Sequence, residues 1–367
     1  MEELINYLKL DVSDEFFDSC IDKLKKLIKN GNYILGDEVS KFEENVAKKL
    51  GVKYAVGLNS GFSALYLALL SIGLKEGDEV VTVGNSFVAT VAAPQLLGAK
   101  VVYCEVGPDR NMSLESMKSV VTERTKAIIP VHLAGASANM TEIMEYAKEK
   151  GIYVIEDASQ AFGAKLNGNY VGSFGDVGCF SMHPTKNLGA FGDAGFIVTD
   201  NEDIYKKVML LRNHGLKDRD HCCMFGFNSR LDELQAAILN LKLEKVDEWS
   251  DRRNQIADQY RSGLKGLDLE LPTIQENSYC VYFSFVIQVE RREELIAYLK
   301  ERKIECKIHY PIPIHKQEAS INAFGEVSLP ITEEQNRKIL SLPIYPSLTD
   351  EQVAYIIQTI KEFYGGK

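Results

Sequence analysis

Residues 54–74 read YAVGLNSGFSALYLALLSIGL, a charge-free stretch that begins as a β-rich apolar run and ends as an apolar helical run. The first part, Tyr54–Leu58, predicts a strand that is buried on both faces. The polar turn Asn59-Ser60-Gly61 interrupts the apolar surface that a membrane-spanning helix would need. Val80–Ala99 repeats this pattern around the polar turn Gly84-Asn85-Ser86. Both stretches therefore predict buried strand-turn-helix units, and no membrane partner is expected.

Strand-like apolar runs alternate with helical patterns from residue 54 to residue 199. Apolar strands separated by helices are typical of a parallel sheet that is covered by helices. We therefore predict an α/β fold with a mostly parallel seven-stranded sheet between helices, and ligands at the carboxyl ends of its strands. The predicted strands are Tyr54–Leu58, Glu79–Val83, Val101–Cys104, Ala127–Val131, Tyr153–Ile155, Val177–Ser181 and Phe196–Thr199.

The pattern changes past residue 228, where a long and heavily charged helical segment, Leu231–Leu264, begins. The remainder predicts a small α+β unit, with a strand at Val281–Val289 and helices at Arg292–Arg302 and Asp350–Phe363. At 367 residues the chain exceeds the common size of one hydrophobic core, so two unequal domains are expected. We predict an N-terminal arm and a large domain in residues 1–245, and a smaller α+β C-terminal domain in residues 246–367.

Composition excludes several classes of protein. Hydrophobic residues at 45% and charged residues at 26% are typical of globular chains, and the net charge of -10 disfavours a nucleic-acid partner. The seven cysteines form no disulfide framework, and the adjacent residues His221, Cys222 and Cys223 cannot easily reach one tetrahedral metal, so no metal site is predicted. Because the N-terminus lacks the basic start and apolar core of a secretory signal, we expect a cytoplasmic protein.

The most informative segment is Phe180–Gly195, FSMHPTKNLGAFGDAG. Lys186 follows a short apolar strand and lies between a proline and a run of small residues, a setting that partly encloses its side chain. Burial lowers the pKa of an ammonium group, and a neutral amine is what Schiff-base chemistry requires. A solvated surface lysine is the competing interpretation of this segment taken alone.

Two further segments contain polar residues at predicted strand ends. In VIEDASQ, residues 154–160, Asp157 ends a buried strand, and a buried carboxylate needs a cationic partner such as a protonated pyridine nitrogen. An aspartate that caps a following helix is the alternative.

In residues 58–65, LNSGFSAL, a small-residue turn enters a helix whose free N–H groups suit a phosphate. Together, the lysine, the aspartate and the phosphate cradle fit pyridoxal phosphate better than a nucleotide.

These motifs make the chain similar to the sugar aminotransferase family called DegT/DnrJ/EryC1/StrS, within the aspartate-aminotransferase fold group. The resemblance runs from GNYILG, residues 31–36, to LPIYP, residues 342–346. It implies pyridoxal 5'-phosphate as the cofactor of the large domain and Lys186 as the catalytic lysine that forms the Schiff base. The implied cofactor contacts are Asp157 at the ring nitrogen, Gln160 beside the ring hydroxyl, Phe87 stacked on the ring, and Ser181 with the backbone of Gly61 and Phe62 at the phosphate. A phenylalanine of the hydrophobic core is the alternative for Phe87.

Two positions depart from the family pattern. The family usually has Gly-Thr where this chain has Gly61-Phe62, so a hydroxyl contact to phosphate is lost and must come from backbone, Ser60 or Ser63. His183 replaces the aromatic residue that many relatives carry three positions before the catalytic lysine. We predict His183 as a substrate contact.

The resemblance also implies contacts beyond the cofactor. Asn228 lies in GFNSRLD, the motif whose asparagine reaches the phosphate of the neighbouring subunit, which implies a homodimer with shared active sites. The loop HYPIPIH, residues 309–315, matches the small-domain loop that faces the active site in this family. We therefore predict substrate contacts from His309, Tyr310 and His315, although exposed loop histidines without such a role are the common alternative.

The resemblance implies transfer of an amino group, with glutamate as the expected donor, to the keto group of a nucleotide-linked sugar. The short chain and the segment Phe191–Gly195 resemble relatives that act at carbon 3 of dTDP-linked 3-keto-6-deoxyhexoses, and relatives that act at carbon 4 are the alternative. A dehydratase of the same family would carry histidine in place of Lys186. A non-catalytic regulatory protein that binds pyridoxal phosphate is the remaining alternative.

Overall fold

The structure, a computed structural model, describes residues 3–365. Short strands alternate with helices through the first part of the chain, as the apolar pattern predicts. The strands are β1 (Tyr54–Leu58), β2 (Glu79–Val83), β3 (Lys100–Cys104), β4 (Thr125–Ile129), β5 (Tyr153–Asp157), β6 (Lys165–Leu166), β7 (Asn169–Tyr170), β8 (Val177–Ser181), β9 (Gly195–Thr199), β10 (Ser278–Tyr279), β11 (Phe285–Gln288) and β12 (Ile339–Leu342). The helices are α1 (Asp14–Asn30), α2 (Asp37–Leu50), α3 (Gly61–Ser71), α4 (Ala89–Leu96), α5 (Leu114–Val120), α6 (Met140–Lys150), α7 (Glu202–Leu211), α8 (Glu233–Leu243), α9 (Val246–Leu264), α10 (Arg292–Glu301), α11 (Glu318–Phe324), α12 (Pro330–Lys338) and α13 (Asp350–Phe363).

The central sheet contains seven strands in the order β1-β9-β8-β5-β4-β2-β3. Strands β3, β2, β4, β5 and β8 pair in parallel, whereas β9 is antiparallel to both of its neighbours, β8 and β1. Most residues of these strands are buried, as expected for a sheet that helices cover. The predicted α/β fold with a mostly parallel seven-stranded sheet is confirmed.

The elements predicted past residue 228 differ in part from the structure. The helical segment predicted over Leu231–Leu264 is two helices, α8 and α9, because the chain turns at Glu244 and Lys245. The strand predicted over Val281–Val289 is wrong in its first half, since only β11 is a strand there. Tyr282, with a φ of 43°, interrupts the extended backbone before it. The predicted helix Asp350–Phe363 is confirmed, and the one predicted over Arg292–Arg302 ends one residue earlier, as α10.

Most buried apolar residues from α9 onward belong to one hydrophobic cluster, in which α9, α10 and α13 pack around β11 and β12. Ile5 of the N-terminal arm joins this cluster and pairs with Ile304 in a parallel bridge. The predicted division between residues 245 and 246 falls between α8 and α9, and it stays a prediction. Among residues 3–365, no helix is long and apolar enough to cross a membrane.

Candidate active site

The N-terminus of α3 lies directly against the end of β8. A Cβ atom built on Gly61 would lie 2.5 Å from the Cβ atom of Ser181, so this close approach requires glycine. Ser60 caps α3 by accepting a hydrogen bond from the N–H group of Ser63 at 3.1 Å. The N–H groups of Gly61 and Phe62 have no hydrogen-bond partner within the described chain. Free N–H groups at the positive end of a helix dipole suit a phosphate group.

The two serine hydroxyls of this loop are already used inside it. Ser63 donates its hydroxyl proton to Asn59 Oδ1 at 2.7 Å, and the hydroxyl of Ser60 lies 3.1 Å from that of Ser63. The backbone N–H groups are therefore the free donors of the loop. This favours backbone contacts as the replacement for the hydroxyl that the family usually has after its glycine.

Lys186 lies in the loop after β8 and is half-buried beside the aromatic ring of Phe283. Its Nζ atom is 4.6 Å from the centroid of that ring. Burial lowers the pKa of Lys186 to about 8, although the nearby carboxylate of Asp157 opposes this shift. A solvated surface lysine would keep its ordinary pKa, so the structure favours the enclosed amine.

The lowered pKa predicts how Lys186 reacts with an aldehyde at different pH values. Because the neutral amine is the nucleophile, the rate at which cofactor-free protein attaches pyridoxal phosphate covalently is expected to rise up to about pH 8 and then level off. A lysine with the ordinary pKa of 10.5 would continue to gain rate up to that higher value. Stopped-flow absorbance across this range measures the profile, and a rate that kept climbing toward pH 10.5 would contradict the enclosure of Lys186.

Asp157 ends β5 with only 5% of its surface exposed. One carboxylate oxygen accepts a hydrogen bond from Thr90 Oγ1 at 2.7 Å, and the other accepts from the N–H group of Ser159 at 3.2 Å. No ion pair with a residue of the described chain neutralises this carboxylate, which fits a cationic ring nitrogen as its partner. The helix-cap alternative lacks its helix, because β6 is the element that follows β5.

Glu156, next to Asp157, belongs to a structural network instead. Its carboxylate accepts hydrogen bonds from the backbone N–H groups of Gly172, Phe174 and Gly175 at 2.7–2.8 Å and contacts His132 Nε2 at 2.9 Å. The Nδ1 atom of His132 accepts from the N–H group of Ala138 at 3.1 Å. The imidazole proton must therefore lie on Nε2, where it is donated to Glu156. These internal donors satisfy Glu156, and Asp157 is the member of the pair that is available to a ligand.

Gln160 connects this region with the loop after α10. Its Oε1 atom accepts from the N–H group of Ala134 at 2.8 Å, and its Nε2 atom donates to the hydroxyl of Tyr310 at 3.2 Å. The ring of Phe87 lies 5.8 Å from the ring of Tyr310 and is 53% exposed. A half-exposed phenylalanine at a strand end fits a stacking role better than the alternative of a core residue.

His309 and His183 differ in burial. The Nδ1 atom of His309 lies 3.0 Å from the hydroxyl of Ser341. Burial and the charge on Lys186 lower the pKa of His309 to about 4, so its imidazole is neutral near pH 7. His183 is exposed, and its Nδ1 atom lies 3.0 Å from the hydroxyl of Thr185. Neither location conflicts with a substrate contact, which stays a prediction for both.

His315 occupies a different environment from the other two histidines. It is 1% exposed, its Nε2 atom lies 3.2 Å from Glu333, and its ring packs directly against Gly84. Gly84 begins the loop that carries Phe87. No contact within the described residues joins His315 to Lys186. A direct substrate contact from His315 stays a prediction, while support of the loop with Phe87 follows from the packing.

Asn228 lies on the exposed segment before α8. Its backbone pairs with Asn213, and its side chain makes no hydrogen bond within residues 3–365. The next residue, Ser229, is buried and donates a hydrogen bond to Asn59 at 3.0 Å. The segment is therefore anchored to the phosphate loop of its own chain while the amide of Asn228 is exposed.

Two residues of the site lie outside the predicted set, Thr90 and Phe283. Thr90 belongs to the segment that carries Phe87, and a hydroxyl three residues past that aromatic residue is a signal that sequence analysis can use. Phe283 lies in the irregular loop after Tyr282, where no periodicity points to a site. Its contact with Lys186 is visible only in three dimensions.

Comparisons with known proteins identify the family. Residues 17–361 match the DegT/DnrJ/EryC1/StrS aminotransferase family. A UDP-N-acetyl-3-dehydro-alpha-D-glucosamine 3-aminotransferase of Acidithiobacillus ferrooxidans is 40% identical over 95% of this chain and 95% of its own. A dTDP-3-amino-3,4,6-trideoxy-alpha-D-glucose transaminase of Streptomyces venezuelae is 38% identical over 93% of this chain and 90% of its own. A pleiotropic regulatory protein of Geobacillus stearothermophilus is 38% identical over 98% of this chain and 99% of its own.

Among solved structures, S. venezuelae DesV in complex with a ketimine intermediate matches with a TM-score of 0.96 and 36% identity, covering 99% of both chains. The fold, the cofactor and the enzyme class predicted from the sequence are confirmed. The chain therefore belongs to the DegT/DnrJ/EryC1/StrS family, the aminotransferases that use pyridoxal phosphate and act on sugar nucleotides.

Proposed function

We propose that this aminotransferase converts a nucleotide-linked keto-6-deoxysugar, dTDP-3-keto-6-deoxyhexose, into the aminosugar, with glutamate as the amino donor. One observation carries the proposal: the amine of Lys186, with its pKa lowered to about 8, shares a site with the buried and otherwise unneutralised carboxylate of Asp157. Carbon 3 is supported by the names of two relatives that are 40% and 38% identical to this chain.

Lys186 is the proposed catalytic residue, and it transfers a proton between the reacting carbon and the cofactor in both half-reactions. Pyridoxal phosphate supplies an electron sink to this chemistry when it is bound. Asp157 holds a proton on the ring nitrogen by its negative charge. The remaining proposed cofactor contacts are Gln160 at the ring hydroxyl, Phe87 on the ring face, Ser60, Gly61, Phe62 and Ser181 at the phosphate, and Asn228 from the neighbouring subunit.

A cleft of about 1340 Å³ lies beside Lys186, on the side of the N-terminal residues, and His183, His309 and Tyr310 do not line it. It is lined by N-terminal residues between 8 and 19, by the loop 184–191 and by the start of α9. We assign sugar contacts to His183, His309 and Tyr310. His315 is proposed to act through its packing against Gly84, at the start of the loop that carries Phe87.

The test is an assay of the purified protein with glutamate and either a dTDP-linked 3-keto-6-deoxyhexose or its 4-keto isomer. Mass spectrometry and NMR of the product identify the aminated carbon. We expect amination at carbon 3. Amination of the 4-keto sugar alone would establish the carbon-4 alternative, and amination of neither sugar by cofactor-loaded protein would reject the proposed activity.

A regulatory protein that binds pyridoxal phosphate without turnover is the second candidate. One observation favours it, the relative of 38% identity that is named a pleiotropic regulatory protein. The enclosed amine of Lys186 favours catalysis, because proton transfer needs a neutral base at the reacting carbon. By resemblance, the same lysine argues against the dehydratases of this family.

The proposal includes a homodimer in the cytoplasm. The exposed amide of Asn228 makes no hydrogen bond within residues 3–365, which leaves it available to a second copy of the chain. The seven cysteines have free thiols, which suits the reducing cytoplasm.

Mixing two impaired variants is expected to restore activity if Asn228 completes the neighbour's phosphate site. In a heterodimer of Asn228→Ala and Lys186→Ala subunits, one site contains both defects and the other contains neither. Activity measured after subunit exchange is therefore expected to exceed that of both parents, at cofactor concentrations where the Asn228→Ala site is mostly empty.

The matched control is a heterodimer of Asp157→Asn and Lys186→Ala subunits. Asp157 and Lys186 act within one chain, so each site of this heterodimer contains one defect and no activity should reappear. If neither mixture recovers activity despite verified exchange, Asn228 acts within its own chain or not at all.

A further inference from the structure

Three buried oxygen atoms form a chain of hydrogen bonds from the loop after β2 to the end of β5. Ser86 Oγ lies 2.8 Å from Thr90 Oγ1, and Thr90 Oγ1 lies 2.7 Å from Asp157 Oδ2. Ser86 is 2% exposed, Thr90 is fully buried, and Asp157 is 5% exposed. Water is thus largely excluded from these contacts, and the protein itself must supply the partners of each hydroxyl.

Counting protons gives this chain a direction. An ionised carboxylate can only accept, so the single hydroxyl proton of Thr90 is donated to Asp157. Thr90 has no second proton for Ser86, and Ser86 must therefore donate to Thr90. All donated protons point toward the carboxylate, and hydrogen bonds in such a series polarise and strengthen one another.

The bond from Thr90 is not the one that a helical threonine ordinarily makes. In helices, threonine hydroxyls commonly bond to the carbonyl group of the preceding turn. Thr90 lies in the first turn of α4 and bonds to a carboxylate 67 positions away in sequence. The same turn follows Phe87, since the N–H group of Thr90 donates to the carbonyl of Phe87 at 3.1 Å. One turn thereby links the proposed ring-stacking residue to the proposed partner of the ring nitrogen.

We propose that Thr90, oriented by Ser86, is a positioning residue that keeps the proton of the cofactor's ring nitrogen on the ring rather than on Asp157. The inference rests on the proposed role of Asp157. A hydrogen bond donated to a carboxylate favours its ionised form. The bonds from Thr90 and from the N–H group of Ser159 also occupy one lone pair on each oxygen and fix the plane of the carboxylate. Without the bond from Thr90, the carboxylate draws the shared proton away from the ring and the electron sink weakens.

The experiment compares Thr90→Val, which keeps the shape and removes the hydroxyl, with Thr90→Ser, which keeps the hydroxyl. Each variant is loaded with cofactor labelled with ¹⁵N in the ring, and the ¹⁵N chemical shift reports whether the ring nitrogen carries the proton. We expect Thr90→Val to move this shift toward the unprotonated form, and Thr90→Ser to resemble the wild type. Both half-reactions are expected to slow about 10- to 100-fold in Thr90→Val, with the KM for the amino donor nearly unchanged.

Asp157→Asn separates failure of this inference from failure of the proposed function. If Asp157→Asn moves the ¹⁵N shift and Thr90→Val does not, the role of Thr90 is overturned while Asp157 keeps its own. If Asp157→Asn leaves the shift unchanged, the proposed role of Asp157 fails, and the role of Thr90 fails with it. Equal rate losses in Thr90→Val and Thr90→Ser, together with lowered melting temperatures, would show a merely structural threonine. Ser86→Ala is a second test of the same chain of hydrogen bonds. We expect it to move the ¹⁵N shift in the same direction as Thr90→Val, by a smaller amount.

Discussion

Lys186→Ala is expected to abolish turnover, with both half-reactions slowed by about 10⁴-fold or more. The substitution removes the amine that binds the cofactor covalently and the base that moves the proton. Stopped-flow absorbance with glutamate measures the first half-reaction, and the keto sugar nucleotide measures the second. Borohydride treatment followed by peptide mass spectrometry gives an independent readout, since the cofactor is expected on the peptide that contains Lys186 in the wild type and on no peptide in the variant.

Lys165→Ala is a matched control for this substitution. Lys165 also lies over an aromatic ring, with its Nζ atom 4.6 Å from the ring centroid of Tyr170, the same distance that separates Lys186 from Phe283. It has no proposed role, so its loss should leave both half-reactions near their wild-type rates. Substantial turnover by Lys186→Ala would refute the proposed mechanism.

The fold is largely predictable because its strands are apolar on both faces. Burial between helices removes the alternation of polar and apolar residues, and the resulting apolar runs stand out between charged helices. The antiparallel direction of β9 is not encoded in this pattern, since a buried strand has the same composition in either direction. Helix periodicity likewise misses the break between α8 and α9. Glu244 and Lys245 keep nearly helical dihedral angles there, and neither is a glycine or a proline.

A site residue is predictable from the sequence when its side-chain chemistry is informative and it lies at a predicted strand end. It is not predictable when its role depends on a contact between distant segments. Lys186 follows β8 and Asp157 ends β5, and adjacent strand ends meet at one edge of the sheet. Phe283 reaches Lys186 from an irregular loop that no local pattern predicts, and the hydrogen bond from Thr90 to Asp157 joins residues 67 positions apart. His315 shows the opposite case, because its loop suggests a site and its side chain is buried against Gly84.

Adjacent acids on a strand can have separate roles, as Glu156 and Asp157 show. Successive side chains point to opposite faces of a sheet. Glu156 therefore enters a network with His132 and the backbone N–H groups of Gly172, Phe174 and Gly175, while Asp157 faces Thr90 and the region of Lys186. The sequence predicts the pair as a unit at a strand end, and only the packing on each face distinguishes the structural acid from the one at the candidate site.

Loss of the negative charge on Asp157 is expected to have a large effect on the reaction rate. Asp157→Asn is expected to slow both half-reactions by more than about 100-fold, a loss of roughly 3 kcal/mol or more of transition-state stabilisation, because an uncharged partner leaves the ring nitrogen unprotonated. The folded structure should persist, since the amide keeps the size of the carboxylate and can still accept a hydrogen bond. Single-turnover rates and melting temperatures, measured on the same preparations, test both parts.

Glu156→Gln is the matched control, because it makes the same chemical change one residue away. Each carboxylate oxygen of Glu156 accepts two hydrogen bonds, so the new amide N–H group replaces two buried hydrogen bonds by unpaired contacts, each of which costs about 1–3 kcal/mol of folding free energy. We therefore expect opposite profiles: Asp157→Asn loses rate with little change in melting temperature, and Glu156→Gln loses melting temperature with half-reaction rates close to wild type. If Asp157→Asn instead lost stability and kept its rates, Asp157 would be a structural residue like its neighbour, and the ring nitrogen would have to find its counter-charge elsewhere.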